Sequence, residues 1–400
     1  MEKTARGNRL HIGFYGKTNV GKSSLLNKIT NQEVSIVSAQ KGTTTDVVYK
    51  PMELLPIGPV VFMDTAGIDD ETALANQRTQ KTLQTLDKVD IAVIVSDFNG
   101  WNKIEIELLN FLKEKNTPVI ALVNKNDVEN ISETNLSEIK NHTKNVLLTN
   151  INDEKLIDSF KEELLKVLPA DFLENKTVTG NLVKEKDVVI LVVPIDKEAP
   201  KGRLILPQVQ MIRELLDKNA KAVVIKETEL KEILEELKNP PKLVITDSQA
   251  FKNVSNIVPK NIPMTSFSVL LANHKGDIDV FIDGAKSLDN LKNKDKILFL
   301  ESCTHHAVDD DIARVKIPKM LEKKTGKTFV YDYHTGCSMP NDLTKYSLMI
   351  HCGACMTNTK EVLSRISTAK KLNIPITNYG VVIAYCLGIL DRAVEPLKKV

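Results

Sequence analysis

A glycine-rich segment near the start of the chain limits the possible fold more than any other feature. Residues 16–23 read Gly-Lys-Thr-Asn-Val-Gly-Lys-Ser, which matches the pattern G-x-x-x-x-G-K-S. The segment follows an apolar run at 10–15 and precedes a helical pattern that begins near Ser24. Glycines let consecutive backbone N–H groups surround phosphate oxygens, and the helix N-terminus adds a partial positive charge. The sequence therefore predicts a phosphate-binding loop between a strand and a helix.

Two residues of this loop and one carboxylate further along the chain predict a site for a nucleotide with its metal ion. Lys22 would place its charge on the β and γ phosphates, and Ser23 would place its hydroxyl on Mg²⁺. Asp64 opens the segment Asp-Thr-Ala-Gly directly after the apolar run at 60–63. A carboxylate at the end of such a strand holds Mg²⁺ through water.

A third motif predicts which base is bound. Residues 124–127 read Asn-Lys-Asn-Asp, match N-K-x-D, and follow the apolar run at 119–123. In this motif the carboxylate accepts two N–H bonds from the guanine edge. Adenine does not present that pair of donors, so ATP would leave a polar group unpaired. Three motifs in this order and spacing predict a GTPase.

The amino-terminal segment is similar to translation-factor-class GTPases, in the branch that includes tRNA-modification and ribosome-assembly GTPases. These relatives carry the switch sequence G-x-T-R-D, which residues 42–46 match except that Thr45 replaces arginine. The resemblance implies that Thr44 responds to Mg²⁺ and that Asn19 holds a K⁺ ion against the phosphates, so that K⁺ stimulates hydrolysis. The alternative for Asn19 is an amide that only stabilises the loop. The nucleotide-binding residues that the resemblance implies are Gly16, Asn19, Val20, Gly21, Lys22, Ser23, Ser24, Thr43, Thr44, Asp64, Gly67, Asn124, Lys125 and Asp127, with Ser23 and Thr44 on Mg²⁺.

Two positions depart from the pattern of these relatives. Ile68 stands where Ras-like enzymes place the glutamine that orients water, so we expect slow intrinsic hydrolysis. The fifth motif, usually Ser-Ala, falls near Thr149-Asn150 and leaves the base contacts on that side open.

Short apolar runs alternate with amphipathic stretches along the rest of the chain, and this alternation predicts an α/β protein with mainly parallel sheets. A chain of 400 residues is expected to form two or three domains, and the polar stretch at 168–187 marks one boundary. We expect three α/β domains at 1–170, 171–270 and 271–400, the first with a P-loop GTPase fold. The predicted strands lie at 10–15, 60–63, 91–96, 119–123, 146–148, 188–195, 222–225, 243–245, 297–300, 329–331, 348–350 and 374–376.

The composition argues against a nucleic-acid-binding, a secreted and a membrane-spanning protein. Lys and Arg number 54 against 52 Asp and Glu, a net charge of +2, so no overall basic field points to nucleic acid. Five cysteines are too few for a secreted disulfide framework and favour a reducing cytosol. The first fifteen residues carry no apolar core of a secretory signal, and no apolar run is long enough to cross a bilayer. We expect a soluble, cytoplasmic protein.

The cysteines themselves predict a metal site. Cys352-Gly353-Ala354-Cys355 follows the strand at 348–350, and Cys303 follows the strand at 297–300. The carboxyl ends of strands in an open α/β sheet converge on one crevice, so these residues can meet around one ligand. Three thiolates suit zinc together with a histidine, and they equally suit iron in an iron–sulfur cluster. The spacing alone leaves both metals open.

The full pattern adds histidines to the cysteines. Cys303-Thr304-His305 is followed, after a long gap, by His351-Cys352-Gly353-Ala354-Cys355. This arrangement resembles the signature of the HydF family of FeFe-hydrogenase maturation GTPases, and the resemblance covers essentially the whole chain. It implies a 4Fe-4S cluster on Cys303, Cys352 and Cys355, with one iron that has no cysteine. The candidates for a weak fourth ligand, or for hydrogen bonds to the thiolates, are Glu301, His305 and His351.

The same resemblance implies a function and partners. The protein would be a GTPase and a 4Fe-4S scaffold or carrier, with GTP or GDP, Mg²⁺ and K⁺ as further ligands and a homodimer formed through the middle domain. It would receive a di-iron precursor made with the radical-SAM maturases HydE and HydG and deliver it to apo FeFe-hydrogenase.

The sequence leaves two alternative functions open. One is an RNA-modifying or ribosome-assembly GTPase with a structural zinc site, against which the 5% aromatic content and the near-neutral charge weigh. The other is a redox enzyme that uses the C-x-x-C pair. Cys337 falls outside the matched signature, so its contact with the metal stays open, and Cys386 is expected to be a core residue.

Overall fold

The computed structural model describes residues 6–30, 47–68, 82–169, 172, 177–195, 204–302, 311–336, 339–340 and 342–398. These residues divide into two compact units, Met1–Asn175 and Lys176–Val400. The division falls within the polar stretch at 168–187. The second unit holds two sheets, and the boundary that we place at 270 stays a prediction.

A six-stranded sheet forms the centre of the first unit, in the order β2-β3-β1-β4-β5-β6. All its neighbours pair in parallel except β2, which runs antiparallel to β3 at the edge. The strands are β1 (Leu10–Tyr15), β2 (Val48–Leu54), β3 (Gly58–Asp64), β4 (Ile91–Ser96), β5 (Val119–Val123) and β6 (Val146–Leu148). The helices are α1 (Lys22–Thr30), α2 (Lys103–Glu114), α3 (Glu133–His142) and α4 (Leu156–Val167).

The central strands are buried along their whole length because helices cover both faces of the sheet. Every residue of β1, β4 and β5 is buried. One apolar cluster lies on each face, and the face covered by α1 and α4 carries three packed rings, Phe14, Phe62 and Phe160. The carboxyl ends of β1, β3 and β5 therefore lie along one edge, where loops can hold a ligand.

The second unit contains two parallel four-stranded sheets. Their orders are β10-β9-β7-β8 and β12-β11-β13-β14. The strands are β7 (Val188–Val192), β8 (Lys221–Ile225), β9 (Leu243–Thr246), β10 (Met264–Ser266), β11 (Lys296–Glu301), β12 (Val330–Thr335), β13 (Leu348–His351) and β14 (Ile376–Asn378). The helices are α5 (Leu206–Asp217), α6 (Leu230–Glu236), α7 (Phe251–Ile257), α8 (Phe267–Lys275), α9 (Ile278–Lys286), α10 (Ile317–Thr325), α11 (Thr359–Lys371), α12 (Tyr379–Cys386) and α13 (Leu390–Lys398).

One apolar core runs through both sheets of this unit. It joins side chains of β7 and β9 to side chains of β11 and β13 by way of the helices between them. Helix α12 is buried over its first six residues and packs against α8, α9 and α10. A helix that is apolar on all sides is suited to such an interior position. Cys386, at the end of α12, is half-buried against this core, and burial raises the pKa of its thiol to about 12.

The α/β class with a mainly parallel GTPase sheet is confirmed. The strands at 10–15, 91–96, 119–123 and 146–148 match the prediction to the residue. Two strands are absent from the prediction, β2 and β10. β2 is a half-exposed edge strand that contains Pro51, and β10 has only three residues, directly after Pro263. In the part of the chain that the structure describes, no helix is long and apolar enough to cross a membrane.

Candidate functional site

The phosphate-binding loop has the shape that its sequence predicts. Lys22 is the first residue of α1 and is buried, and its Nζ donates to the carbonyl oxygens of Gly16 at 3.0 Å and Lys17 at 2.6 Å. Gly16 and Gly21 have φ values of 140° and 95°, and Asn19 adopts φ 66° with its side chain exposed. The loop thus holds one buried ammonium inside a ring of backbone, at the start of a helix.

Two glycines let the three nucleotide motifs approach each other. A Cβ on Gly21 would lie 2.3 Å from Nδ2 of Asn124, and a Cβ on Gly67 would lie 2.1 Å from Oγ1 of Thr18. In addition, Nδ2 of Asn124 donates to the carbonyl oxygen of Val20 at 2.8 Å. The phosphate loop is therefore in direct contact with the segment after β3 and with the N-K-x-D motif after β5.

The side of the site where we expect Mg²⁺ is formed at the end of β3. Asp64 is fully buried, and the neighbouring Thr65 hydroxyl donates to the carbonyl oxygen of Phe14 at 2.5 Å. Lys50 of β2 is also buried and donates to the side chain of Asn27. Burial lowers the pKa of Lys50, and the charge of Asp64 opposes that shift. Sequence reasoning missed Lys50, which no motif marks.

The side of the site where we expect the base joins two loops. Asp127 is exposed, and its Oδ2 accepts from Nδ2 of Asn152 at 3.3 Å. The N–H of Asn126 donates to the carbonyl oxygen of Thr149 at 3.3 Å, and Lys125 has φ 60°. The unusual fifth motif thus lies beside N-K-x-D.

The remaining predicted residues of the nucleotide site fall in two groups. Ser23 and Ser24 are half-buried in the first turn of α1. Thr43 and Thr44 lie outside the described residues, so their roles stay predictions.

The cysteine segments meet at the carboxyl edge of the last sheet. Leu300 of β11 is in register with His351 of β13, so the chain leaves both strands at the same level. Cys352 is half-buried, and its Sγ lies 3.6 Å from Oγ of Ser302. Ser302 directly precedes Cys303, which lies outside the described residues together with His305 and Cys337.

The C-x-x-C turn is held by a buried lysine. Nζ of Lys275 donates to the carbonyl oxygens of Ala354 at 2.9 Å, Thr357 at 2.8 Å and Cys355 at 3.4 Å. Burial lowers the pKa of Lys275 to about 8, an effect that Cys355, Cys352 and Glu361 oppose. The turn is therefore fixed in shape from the side of α8.

The helix after this turn begins with a side-chain cap. The Asn358 side chain accepts from the backbone N–H of Glu361 at 3.1 Å and caps α11. The Glu361 carboxylate accepts from Arg365 at 2.9 Å.

Arg365 joins the ends of three strands, and its side chain is only 2% exposed. Its guanidinium donates to Nε2 of His351 at 2.8 Å and to the carbonyl oxygen of Gly336 at 2.8 Å, and it lies 3.4 Å from Oγ of Ser302. Each of these three residues comes directly before a cysteine in the sequence. Arg365 therefore sets the relative positions of the backbone segments that lead into Cys303, Cys337 and Cys352.

His351 and Glu301 each have their polar atoms engaged by protein groups. Nδ1 of His351 lies 2.8 Å from the carbonyl oxygen of Cys352, so Nδ1 carries the proton and Nε2 accepts from Arg365. Burial, and secondarily Arg365, lowers the pKa of His351 to about 3. Glu301 binds Arg314 through both carboxylate oxygens, at 3.2 Å and 2.8 Å.

Comparison with known families gives three matches. Residues 279–396 match the hydrogen maturase F tetramerization domain, and residues 178–276 match the hydrogen maturase F dimerization domain. Together these two matches cover more than half of the chain. The chain belongs to the hydrogen maturase F family. Residues 11–125 match the 50S ribosome-binding GTPase family, so this hydrogen maturase F carries a GTPase domain ahead of its two maturase domains.

Individual relatives resemble the amino-terminal part of this hydrogen maturase F. The tRNA modification GTPase MnmE of Caldicellulosiruptor saccharolyticus is 34% identical over 139 residues, 33% of this chain and 30% of that protein. GTPase Era of a Thermoanaerobacter species is 27% identical over 224 residues, 52% of this chain and 72% of that protein. The chain spans about a third of the length of the MnmE proteins that it matches. A solved structure of an Aquifex aeolicus Era variant bound to GDP.AlF4− has 22% identity and a TM-score of 0.36, covering 54% of this chain and 92% of that one.

The described part of the maturase domains presents two cysteines for a metal but no complete ligand set. Among the described residues, no three His, Cys, Asp or Glu side chains form a group that could hold a metal ion. Cys352 and Cys355 lie on one preformed turn beside the end of β11, which leads to Cys303. Thiolates on a fixed turn fit a soft metal, so the donor set of this hydrogen maturase F suits iron–sulfur or zinc chemistry.

Sequence reasoning missed the residues that support the cysteines in this hydrogen maturase F. Lys275 ends a largely buried helix, Arg365 lies in an amphipathic helix, and Arg314 follows a capping aspartate. The only local signal is the spacing of Glu361 and Arg365, which puts opposite charges on one face of α11. Their roles depend on contacts between distant segments, which no motif encodes.

Proposed function

We propose that this protein is a GTP-hydrolysing scaffold that carries a 4Fe-4S cluster during the maturation of FeFe-hydrogenase. One observation carries the proposal: a P-loop GTPase domain and two hydrogen maturase F domains lie in one chain, and the last of them presents Cys352 and Cys355 on a turn held by buried side chains. The activity, the cluster and the partners are proposals that rest on this combination.

In the GTPase domain, we assign the triphosphate to the backbone of the loop at 16–23 and to Lys22. Mg²⁺ would bind Ser23 and Thr44, with Asp64 acting through water, and guanine would bind Asp127. The direct contacts between the three motifs support this assignment. A Lys22→Ala variant should lower GTP hydrolysis by about 10²–10³-fold, because one fixed charge on the transferred phosphate is lost.

We further assign a K⁺ ion to Asn19. Its exposed side chain and left-handed backbone in the phosphate loop are compatible with this role. Hydrolysis measured in K⁺ and in Na⁺ buffers should differ for the natural protein and be equal for Asn19→Ala. Equal rates for the natural protein would reject the K⁺ assignment and leave the loop-stabilising amide.

In the last maturase domain, the 4Fe-4S cluster would be held by Cys303, Cys352 and Cys355. The cluster would supply an iron without a cysteine, to which an incoming di-iron precursor could be attached. Glu301 and His351 are bound to Arg314 and Arg365, so we propose that they support the cysteines and do not ligate iron. His305 stays a candidate for the fourth ligand.

The proposed partners follow from the family. HydE and HydG would supply the precursor and apo FeFe-hydrogenase would receive it. The matches to dimerization and tetramerization domains support self-association. Light scattering of the purified chain would distinguish the homodimer that we expected from a tetramer.

The decisive experiment is anaerobic purification followed by metal and sulfide analysis. The proposal expects brown protein that binds iron and sulfide, with iron lost in Cys303→Ala, Cys352→Ala and Cys355→Ala. Colourless protein with stoichiometric zinc would support the alternative, an RNA-modifying or ribosome-assembly GTPase with a structural zinc site. The maturase matches at 178–396 favour the first outcome, whereas the tRNA-modification relatives align with the GTPase part.

A further inference from the structure

A buried tyrosine hydroxyl has no hydrogen-bond partner among the described residues. It lies near the carboxyl edge of the last sheet, the edge at which β13 leads into Cys352. Tyr379 is the first residue of α12 and follows β14, the strand beside β13. Only 7% of the residue is exposed. Its ring packs edge-on against Phe299, with centroids 5.9 Å apart at 68°, and its hydroxyl oxygen is buried without a partner in the part of the chain that the structure describes.

This hydroxyl lies among groups that favour its protonated form. Burial raises the pKa of Tyr379 well above its usual range, and Cys352 is the next largest cause, ahead of Glu301 and Asp311. Arg314 opposes the shift. The hydroxyl therefore keeps its proton. His351 is in register with Asn378, so Cys352 and Tyr379 are the next residues along two paired strands.

Several other polar groups at this edge are already engaged. Glu301 and Arg314 bind each other, and His351 binds Arg365. Asn378, next to Tyr379, donates through Nδ2 to the carbonyl oxygen of Cys352 at 2.9 Å.

The other end of the Asn378 amide is also used. Its Oδ1 accepts from Oγ of Ser268 at 3.0 Å and from the N–H of Gly380 at 2.8 Å. The Tyr379 hydroxyl is thus a buried donor at this edge whose proton no described protein group accepts, and the Thr357 hydroxyl, two residues after Cys355, is another. A buried donor without an acceptor is unfavourable, and functional sites are where such groups persist.

We propose that the Tyr379 hydroxyl donates a hydrogen bond to the sulfur of Cys352 when the cysteines hold an iron–sulfur cluster, and that this bond raises the reduction potential of the cluster. The inference rests on the proposed function, because it requires the cluster. A hydrogen bond to a ligating sulfur stabilises the more negative, reduced state, which is one of the ways in which proteins set cluster potentials. Tyr379 is then a positioning and tuning residue and not a ligand.

The test compares Tyr379→Phe with Tyr331→Phe in the full-length protein reconstituted anaerobically with iron and sulfide. Tyr331 is a matched control, because its ring also packs edge-on against Phe299, with centroids 6.0 Å apart at 60°. Its hydroxyl faces Glu322 at 3.3 Å and the carbonyl oxygen of Pro318 at 3.5 Å instead. Iron and sulfide content, an EPR-monitored redox titration and proton hyperfine couplings in H₂O and D₂O are measured for each.

The expected result for Tyr379→Phe is an unchanged iron content, a more negative midpoint potential and the loss of one exchangeable proton coupling. Tyr331→Phe should match the natural protein in all three measurements. Three results would overturn the inference while the proposed function stands. The first is an unchanged potential and coupling in Tyr379→Phe, the second is an equal shift in Tyr331→Phe, and the third is loss of iron in Tyr379→Phe. A natural protein that binds zinc, or no cluster, would overturn both.

Discussion

The ammonium of Lys275 lies 2.9 Å from the carbonyl oxygen of Ala354, inside the turn that separates Cys352 from Cys355. Ala354 has φ 57°, a left-handed conformation that a non-glycine residue adopts at a cost. The lysine is 79 residues away in the sequence and ends helix α8. The shape in which the two thiols are presented therefore depends on a side chain from another part of the unit.

Replacing Lys275 should weaken metal binding. In Lys275→Met the carbonyl oxygens of Ala354, Cys355 and Thr357 lose their donor, which should lower the free energy of unfolding by about 1–3 kcal/mol. We also expect less iron per chain, because the C-x-x-C turn is no longer held. Metal analysis after anaerobic reconstitution and denaturant unfolding would measure the two effects.

Lys371→Met is the control for this substitution, since Lys371 is an exposed lysine at the end of α11. It should change stability by less than about 0.5 kcal/mol and leave the iron content unchanged. An iron content in Lys275→Met equal to that of the control would show that the turn does not need the lysine.

The buried pair of Arg365 and Glu361 should show strong coupling. Arg365→Met leaves the Glu361 carboxylate buried without its partner, which should cost on the order of 3–5 kcal/mol. The double variant Glu361→Gln, Arg365→Met should be more stable than Arg365→Met alone, because no uncompensated charge remains. A double-mutant cycle from denaturant unfolding would measure this, and additive effects of the two substitutions would contradict it.

Glu301→Gln distinguishes a supporting role for Glu301 from metal ligation. Because both carboxylate oxygens bind Arg314, we expect unchanged iron per chain and an unchanged EPR signal, with a loss of about 1–3 kcal/mol in the free energy of unfolding. Cys352→Ala is the positive control for loss of iron. A changed EPR signal in Glu301→Gln would instead identify the glutamate as the fourth ligand.

Gly21→Ala should impair nucleotide binding through crowding. Its Cβ would lie 2.3 Å from Nδ2 of Asn124, so the contact between the phosphate loop and the base motif has to open. Gly180→Ala is a matched control: Gly180 also has a positive φ, at 49°, but nothing lies within 4 Å of its Cβ position. Calorimetry with GDP should show weaker binding in Gly21→Ala only, and equal affinities in both variants would contradict the crowding argument.

Much of the fold could be predicted because its signals are local. β1, β4 and β5 consist mainly of apolar residues, are buried on both faces, and lie where the sequence places them. Edge strand β2 was missed because it is half-exposed and interrupted by Pro51, so it shows neither a continuous run nor clean alternation. β7 ends three residues earlier than predicted, since the apolar run continues past the last paired residue, Val192.

By itself, the sequence determined the three nucleotide motifs, the α/β class and the placement of Cys303 and Cys352 directly after predicted strands, because each of these depends on residues close together in the chain. The tertiary structure alone decided what surrounds the cysteines. Lys275, Arg365 and Tyr379 reach the same sheet edge from three different helices, and their partners were set by the parallel register of β11, β13 and β14. Such contacts join residues that are far apart in sequence, and only the packed core brings them within hydrogen-bond distance.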